Sequence, residues 1–340
     1  MKTVDFDIRI PSKLIAQTPC EPRDYCRMFV VDRGKKEIYP DFFFYDLPLF
    51  LHKGDVLVLN NSRVTPARFE GHKESSPMEK ITLLLLREVR NTEEWEVLTE
   101  VGTLEQYDIV VFTPPELKFK VTNIGEKVGK REERIVHGVF SDGDLLEKYG
   151  QIPIPPYIHG YKGDPENYQN VYSSIKGSAA CPTAGLHFTK ELLETLSKRG
   201  VILAFITLHV GVDTFMPVYE EEVEDHKIYE EYLEVPGEVC KVIKEARQRG
   251  SKITCVGTTT VRALESSELL PTYGWTNKYI YPGYKFQLVD QLITNFQYPR
   301  SSNLILIAAF AGIGLIRKAY TKAVESKYRF YSFGDAFLIL

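Results

Sequence analysis

The sequence has few cysteines, few histidines and no long apolar run. Its five cysteines never form a C-x-x-C pair, which argues against a disulfide framework or a zinc ribbon and favours a reducing compartment. The longest mainly apolar run, Leu304–Ile316, is shorter than the roughly 18 residues of a membrane span and predicts a buried helix. The first ten residues mix charged and apolar positions, so we expect no secretory signal. These features predict a cytoplasmic protein with no membrane segment.

Metal-binding patterns are also missing from the sequence. None of the seven histidines pairs with another at the helical spacing of metal ligands. A Ser-His-Asp signature is absent as well. We therefore expect no metal site.

The charge balance is mildly acidic and unevenly distributed. Lys and Arg number 42 against 46 Asp and Glu, which gives a formal net charge of −4. Residues 62–150 carry 13 bases and 17 acids, whereas 1–61 and 151–340 are balanced at nine to nine and 20 to 20. The overall charge excludes a protein that coats nucleic acid without regard to sequence. It does not exclude a local basic patch that binds one RNA loop.

The middle of the chain differs from both ends in its predicted secondary structure. Short β-rich runs between 81 and 140 are separated by turn residues and favour a small antiparallel barrel or sandwich. The prolines of 151–156 enforce extended backbone at its end. A predicted helix at 190–199, capped by Thr189, precedes an apolar strand at 201–207, which is typical of an α/β fold. The predicted domains are an α/β main domain formed by residues 1–61 and 151–340, and an inserted antiparallel β-barrel domain formed by residues 62–150.

Three segments place polar groups beside predicted strand or helix ends, and a fourth places them beside apolar neighbours. Thr183 and His187 lie among small residues before a helix start, where free N–H groups can hold an anion. His209 follows an apolar strand, at the end where ligands gather in open α/β sheets. Val256–Arg262 combines a strand, a glycine turn and a hydroxyl-rich helix start, and Asp290–Pro299 adds further polar groups. Each segment also has a purely structural interpretation: in the same order, these are a buried loop, a core histidine, an ordinary helix cap and a surface loop. The residues alone leave the functional and the structural interpretations open.

Taken together, the ordered motifs resemble a known family. The motifs are Glu21-Pro-Arg-Asp24, Gly54–Arg68, Pro182–Thr189, His209-Val-Gly211, Val256-Gly-Thr-Thr259, Tyr281-Pro-Gly283, Leu292–Phe296 and Phe333-Gly-Asp335. From Met1 to Leu340 the sequence is similar to the QueA family, the S-adenosylmethionine:tRNA ribosyltransferase-isomerases of queuosine biosynthesis. The resemblance implies an α/β domain with an inserted antiparallel β-barrel.

The resemblance also implies an enzyme that uses S-adenosylmethionine as a ribosyl donor. The ribosyl part would move to the aminomethyl group of a 7-deazaguanine at the tRNA wobble position and rearrange to an epoxycyclopentanediol. Adenine and methionine would leave, and the product would be epoxyqueuosine-tRNA. S-adenosylmethionine is then a consumed substrate, and no cofactor is expected. The implied partners are S-adenosylmethionine and a tRNA anticodon loop, without a membrane, and a monomer is expected.

This reaction needs a base, groups that bind S-adenosylmethionine and groups that bind RNA. His187 and His209 are the candidate bases for the carbon beside the sulfonium. The residues predicted to bind S-adenosylmethionine are Thr183, Gly185, Gly211, Thr258, Thr259, Arg262, Asp290 and Asn295. The residues predicted to bind tRNA, chosen as cations and aromatics suited to an exposed anticodon base, are Arg23, Arg27, Arg63, Arg68, Tyr157 and Tyr168.

Several positions depart from the usual pattern of the family. Gln297 and Tyr229 stand where the family typically has histidine, and glutamine cannot exchange a proton near neutral pH. The other departures are Glu100 in place of arginine, Asp213 in place of glycine, Asn61 in place of aspartate and Asn303 in place of leucine. Two alternatives therefore stand beside the family reaction. One is a diverged paralogue that uses S-adenosylmethionine with a different acceptor, and the other is a non-catalytic RNA-binding relative.

Overall fold

The computed structural model describes residues 1–89, 92–127, 134–211 and 216–340. The chain forms two compact units, one from Met1–Arg63 together with Ile154–Leu340 and the other from Val64–Pro153. The boundaries predicted from the sequence fall after residues 61 and 150, whereas the structure divides the chain after Arg63 and after Pro153.

The strands and helices alternate in the first unit and are mostly strands in the second. The strands are β1 (Arg27–Asp32), β2 (Glu37–Phe43), β3 (Val56–Asn60), β4 (Ser62–Val64), β5 (Arg68–Lys73), β6 (Ser76–Glu88), β7 (Glu94–Val101), β8 (Ile109–Val111), β9 (Lys118–Lys127), β10 (Arg134–Phe140), β11 (Ile175–Ser178), β12 (Ile202–Leu208), β13 (Glu231–Val235), β14 (Ile253–Val256), β15 (Thr272–Thr276), β16 (Gln291–Asn295) and β17 (Ala336–Ile339). The α-helices are α1 (Asp144–Tyr149), α2 (Lys190–Lys198), α3 (Gly237–Gln248), α4 (Thr258–Ser267), α5 (Ser302–Ala311) and α6 (Ile313–Glu325).

The main unit is built on a mixed sheet that has nine strands within the described residues. Their order is β15-β13-β12-β3-β14-β16-β17-β1-β2. Strands β12, β3, β14 and β16 run parallel to one another, so their carboxyl ends lie at one edge. Strands β3, β14 and β16 are buried along their whole length, as expected for apolar strands covered on both faces. The α/β class predicted for the main domain is confirmed.

Two helices of this unit test the sequence predictions directly. Helix α2 begins where predicted, because the Thr189 hydroxyl accepts a hydrogen bond from the Leu192 N–H at 3.1 Å. The single buried helix predicted over Leu304–Ile316 is wrong. Gly312 has a φ of 87°, which ends α5 and starts α6 in a new direction.

The described part of the chain has no single helix long and apolar enough to cross a membrane. Helices α5 and α6 meet that length and composition only as a pair, and the pair is bent by 112°.

The second unit is a closed antiparallel barrel. Its strand order is β10-β7-β6-β5-β8-β9, and each neighbouring pair is antiparallel. Phe140 lies at the centre of its core, with ring centroids 4.8 Å from Phe119 and 5.6 Å from Phe69. The antiparallel barrel predicted for the inserted domain is confirmed.

Candidate functional site

A cavity of about 290 Å³ lies at the carboxyl edge of the parallel strands. Its wall includes 155–157, 181–184, 257–259 and 294–299. The segments 257–259 and 294–299 contain or follow the ends of β14 and β16. This is the edge at which open α/β sheets bind ligands, and the volume is just below the usual range for ligand pockets, about 300–1,000 Å³.

The amino end of α4 forms one side of the cavity. Gly257 has a φ of 92°, a conformation that favours glycine and lets the chain turn directly from β14 into the helix. The Thr258 hydroxyl donates a hydrogen bond to Asn303 Oδ1 at 2.8 Å. The Thr259 hydroxyl accepts one from Asn60 Nδ2 at 3.4 Å. Because the first N–H groups of a helix carry partial positive charge, this side of the cavity favours an anionic group.

Asn295, the last residue of β16, lines the cavity together with Thr183, and β16 pairs with β14. The Asn295 amide nitrogen lies 3.1 Å from the carbonyl oxygen of Tyr331 and 3.2 Å from His187 Nε2. Its Oδ1 accepts a hydrogen bond from the Thr183 hydroxyl at 3.2 Å. Asn295 therefore connects the cavity wall to the interior of the protein.

His187 lies behind Asn295 and is only 4% exposed. Its Nδ1 is 3.2 Å from the sulfur of Cys26, and its ring centroid is 5.2 Å from that of Phe44. Burial, together with the positive charges of Arg329 and Arg23, lowers the pKa of His187 to about 3. The imidazole is therefore neutral near pH 7, and both ring nitrogens are engaged inside the protein.

His209 directly follows β12 and is half-buried. Its Nδ1 lies 2.8 Å from the Ser62 hydroxyl. The ring covers Gly177, where a Cβ atom would come within 2.7 Å of the imidazole. Burial lowers the pKa of His209, against an opposing effect of Glu234. His209 is therefore neutral near pH 7 and, with Nε2 making no hydrogen bond to any described residue, is able to accept a proton.

Four tyrosines, Tyr157, Tyr168, Tyr298 and Tyr331, give the cavity an aromatic wall. The rings of Tyr157 and Tyr331 meet edge to face with centroids 5.0 Å apart. Burial raises the pKa of each of these two phenols to about 12, so both stay neutral. Among the described lining residues, none carries a carboxylate, an amine, a guanidinium or an imidazole. A neutral wall rich in aromatic rings suits a soft cation through cation–π attraction.

Four residues predicted to bind S-adenosylmethionine line this cavity: Thr183, Thr258, Thr259 and Asn295. Gly185 lies in the turn of 3-10 helix Thr183–His187, where a Cβ atom would stand 2.1 Å from the Tyr172 hydroxyl. Its role in the structure is thus to allow close packing beside the site.

The remaining residues predicted to bind S-adenosylmethionine are held away from the cavity. Arg262 forms a buried ion pair with Glu231, and the same carboxylate accepts the Gly211 N–H at 2.9 Å. Asp290 accepts the Ile253 N–H at 2.8 Å just before β16 begins. Asp290 is therefore at the amino edge of the sheet, opposite the end where Asn295 meets the cavity.

The residues predicted to bind tRNA are not gathered in one place. Arg23 and Arg63 meet at Glu166, Arg23 by donating to its carbonyl oxygen at 3.1 Å and Arg63 by an ion pair with its carboxylate. Arg27 lies 3.6 Å from the centroid of the Tyr328 ring and pairs with Asp41 at 3.2 Å. Separately, Arg68 belongs to β5 of the barrel unit, and Tyr157 and Tyr168 belong to the cavity wall.

Two of the departures from the family pattern line the cavity. Gln297 donates from Nε2 to the Thr294 hydroxyl at 2.9 Å, and Asn303 accepts from Thr258. Elsewhere, Asn61 accepts from the Thr207 hydroxyl at 2.7 Å. Tyr229 is half-buried, Glu100 lies in β7, and Asp213 lies outside the described residues.

The sequence reasoning passed over several residues that build the site. Asn60 ends β3, donates from Nδ2 to the Leu208 carbonyl at 2.9 Å, and is fully buried. A polar residue at the end of the apolar run Val56–Leu59 is a signal that could have identified it. Nothing local in the sequence marks Cys26. Within the described residues, no group of three or more His, Cys, Asp or Glu side chains is placed to hold a metal ion.

Comparison with known proteins gives concordant results. The profile of a family described as "Queuosine biosynthesis protein" matches residues 3–339. Proteins of Caldanaerobacter subterraneus, Acetivibrio thermocellus and Dehalococcoides mccartyi are 45%, 46% and 44% identical over the whole of both chains, and each is named S-adenosylmethionine:tRNA ribosyltransferase-isomerase. A crystal structure of an S-adenosylmethionine tRNA ribosyltransferase from Thermotoga maritima is 35% identical, with a TM-score of 0.56 over 99% of this chain and 100% of that chain.

Proposed function

The chain belongs to the queuosine biosynthesis protein family, and from this membership and the neutral cavity we infer that it is an S-adenosylmethionine:tRNA ribosyltransferase-isomerase. It transfers the ribosyl part of S-adenosylmethionine to the aminomethyl-deazaguanine base of tRNA and isomerises it. Adenine and methionine are released, and S-adenosylmethionine is consumed as a substrate.

The cavity is the observation that carries this inference. S-adenosylmethionine has a sulfonium cation at its centre, and the rings of Tyr157, Tyr298 and Tyr331 provide aromatic faces for it without a charged competitor. Its methionine carboxylate fits the amino end of α4, where the helix N–H groups and the Thr259 hydroxyl, which accepts from Asn60 and keeps its own proton, can donate hydrogen bonds. One small cavity thus matches two differently charged parts of the same molecule.

We assign the base to His209. The supporting geometry is its place at the end of β12, next to cavity residue Val210, and the anchoring of Nδ1 by Ser62. His187 fits that role less well, since both of its nitrogens are engaged and its pKa is about 3. Deprotonation beside the sulfonium by His209 would then begin the rearrangement.

Replacing His209 tests this assignment. His209→Ala is expected to lower kcat for adenine release by about 10²- to 10⁴-fold, as when a general base is lost. Because burial lowers the pKa of His209, the acid limb of the wild-type kcat profile is expected below pH 6.5. Exposed His159 provides the matched control. A His209→Ala enzyme as active as His159→Ala would remove this histidine from the mechanism.

The tRNA is expected to bind through its anticodon loop near Pro165–Tyr168. Arg23 and Arg63 meet at Glu166 in this segment, and the same segment contributes Tyr168 to the cavity wall. Cations next to an aromatic pocket suit a loop whose modified base is turned outward. Because tRNA is the acceptor, we place the activity in the cytoplasm, and a monomer suffices since one chain provides the described wall of the cavity.

One incubation separates the proposed reaction from its alternatives. The enzyme is mixed with S-adenosylmethionine and with tRNA that either carries or lacks the aminomethyl-deazaguanine base. Adenine and methionine released only with the modified tRNA support the proposal. Cleavage that does not require this base would contradict it and indicate a diverged paralogue. Tight tRNA binding without turnover would indicate a non-catalytic relative.

A further inference from the structure

A chain of hydrogen bonds runs from the protein interior to the cavity wall through Cys26, His187, Asn295 and Thr183. Each of its three links joins the two atoms at 3.2 Å. Cys26, His187 and Asn295 are between 1% and 4% exposed. Water therefore has little access to the chain, and its polarity is set by the protein alone.

The direction of the chain is fixed at Asn295. Its side-chain nitrogen faces the carbonyl oxygens of Tyr331 at 3.1 Å and Ser332 at 3.4 Å. Because carbonyl oxygens only accept hydrogen bonds, the amide must present its NH₂ group to them. Asn295 Oδ1 is then turned toward Thr183.

This orientation determines the tautomer of His187. The same NH₂ group of Asn295 faces His187 Nε2, so Nε2 accepts and carries no proton. Since the low pKa keeps the ring neutral, its proton is on Nδ1 and points to the sulfur of Cys26. A sulfur atom is a weak acceptor, but it is the group that the fold places there.

The same orientation determines how Thr183 meets a ligand. Asn295 Oδ1 has no hydrogen, so the Thr183 hydroxyl must donate its proton to it. The lone pairs of the Thr183 oxygen remain for the cavity. Thr183 can then accept a hydrogen bond from a ligand but cannot donate one.

We propose that Asn295, held by the carbonyl groups of Tyr331 and Ser332, fixes Thr183 as a hydrogen-bond acceptor for an N–H group of the substrate. His187 and Cys26 support this orientation from the other side of the Asn295 amide and act as further positioning residues. This proposal rests on the proposed function. The chemistry is that of a primary amine or ammonium, which S-adenosylmethionine carries on its methionine part and the acceptor base carries on its aminomethyl group. The cavity thus presents donor groups at the amino end of α4 and an acceptor at Thr183.

The tautomer is measured on the free wild-type enzyme, without substrate and independently of activity. With ¹⁵N-labelled histidine, the imidazole correlation missing from a His187→Gln spectrum identifies His187. We expect a neutral ring protonated on Nδ1 from pH 8 down to pH 5. A ring protonated on Nε2, or one that gains a second proton in this range, overturns the proposal and leaves the proposed function untouched.

The ligand group is identified by two substitutions at Thr183. Thr183→Val removes the acceptor and is expected to raise a KM about 10- to 100-fold, the range for a hydrogen bond to a charged group, while Thr183→Ser stays within about twofold of wild type. A rise in the KM for S-adenosylmethionine assigns the contact to its ammonium. A rise in the KM for tRNA assigns it to the aminomethyl group. Equal values for Thr183→Val and Thr183→Ser overturn the proposal.

Cys26 tests the far end of the chain. Cys26→Ala removes the acceptor of the Nδ1 proton, so the Nε2-protonated tautomer of His187 becomes accessible. We expect a rise of about two- to fivefold in the same KM, equivalent to part of one hydrogen bond, and a changed imidazole spectrum. Cys255→Ala is the matched control, because Cys255 is also fully buried and is outside the chain. Equal KM values and spectra for the two variants contradict the role of Cys26.

Discussion

The two edges of the parallel sheet use polar residues in opposite ways. At the amino edge, Asp55 accepts the N–H groups of Lys252 and His52, each at 2.8 Å, and Asp290 accepts that of Ile253. These carboxylates are committed to the backbone around them. At the carboxyl edge, neutral hydroxyls and amides such as Thr258 line a cavity and retain hydrogen-bonding capacity. In this sheet, therefore, the edge on which a buried polar residue lies indicates function, whereas burial alone does not.

Removing a carboxylate from the amino edge should affect stability alone. Asp55→Ala leaves the N–H groups of Lys252 and His52 without their partner, at about 1–3 kcal/mol for each buried group. We expect the free energy of unfolding to fall by about 2–5 kcal/mol in urea titrations, with kcat per folded enzyme unchanged. Asp55→Asn keeps an acceptor oxygen and should lose less. A reduced kcat at full stability would show that this edge takes part in the reaction.

The free energy of unfolding should decrease in acid because His187, at the carboxyl edge, is buried as a neutral imidazole. The pKa of His187 is about 3 in the folded protein, whereas the unfolded chain binds this proton near pH 6.5. Below pH 6.5 the unfolded state therefore holds more protons, and stability falls as the pH is lowered, by up to about 1.4 kcal/mol per pH unit. His187→Gln should flatten this dependence between pH 6 and 4.

The control for that experiment is His159→Gln, which changes an exposed ring. Urea unfolding at several pH values should give the wild-type slope for this variant. If His187→Gln and His159→Gln show the same slope, then the imidazole of His187 is not held neutral by the fold.

The smallest effect is expected from a neutral hydrogen bond at the cavity. Asn303→Leu removes the acceptor that orients the Thr258 hydroxyl at 2.8 Å. Losing this acceptor frees the Thr258 proton for the methionine carboxylate, and such a bond contributes about 0.5–1.5 kcal/mol, so steady-state kinetics should show a two- to tenfold lower KM for S-adenosylmethionine. The melting temperature should hardly change. A lower melting temperature with an unaltered KM would show that Asn303 contributes to stability and not to substrate binding, as the carboxylates of the amino edge do.

Local sequence patterns predicted the parts of the site that are built locally. The order of strand, glycine and hydroxyl-rich helix start located the amino end of α4 at Thr258, because a turn of this kind depends on neighbouring residues. The ordered motifs also led to the prediction that Thr183 and Asn295 bind S-adenosylmethionine, and both line the cavity.

Tertiary contacts decide the rest, and the sequence does not display them. Asp290 is close to Asn295 along the chain, but an extended strand of five residues separates the two by about 16 Å. Arg262 finds its partner Glu231 on another strand. His187 is buried by Cys26 and Phe44, which lie more than 140 positions earlier. The apolar run across α5 and α6 is continuous in the sequence, so its pattern did not predict that Gly312 separates two helices.

The most direct test of this account is binding of labelled S-adenosylmethionine, measured by equilibrium dialysis, to variants of the two edges. Thr259→Val at the carboxyl edge should raise the Kd at least about tenfold, because it removes the hydroxyl whose proton is available to the carboxylate. Asp290→Asn at the amino edge should bind like the wild type when referred to the folded fraction. Weaker binding by the Asp290→Asn variant, together with unchanged binding by the Thr259→Val variant, would contradict the placement of S-adenosylmethionine in this cavity.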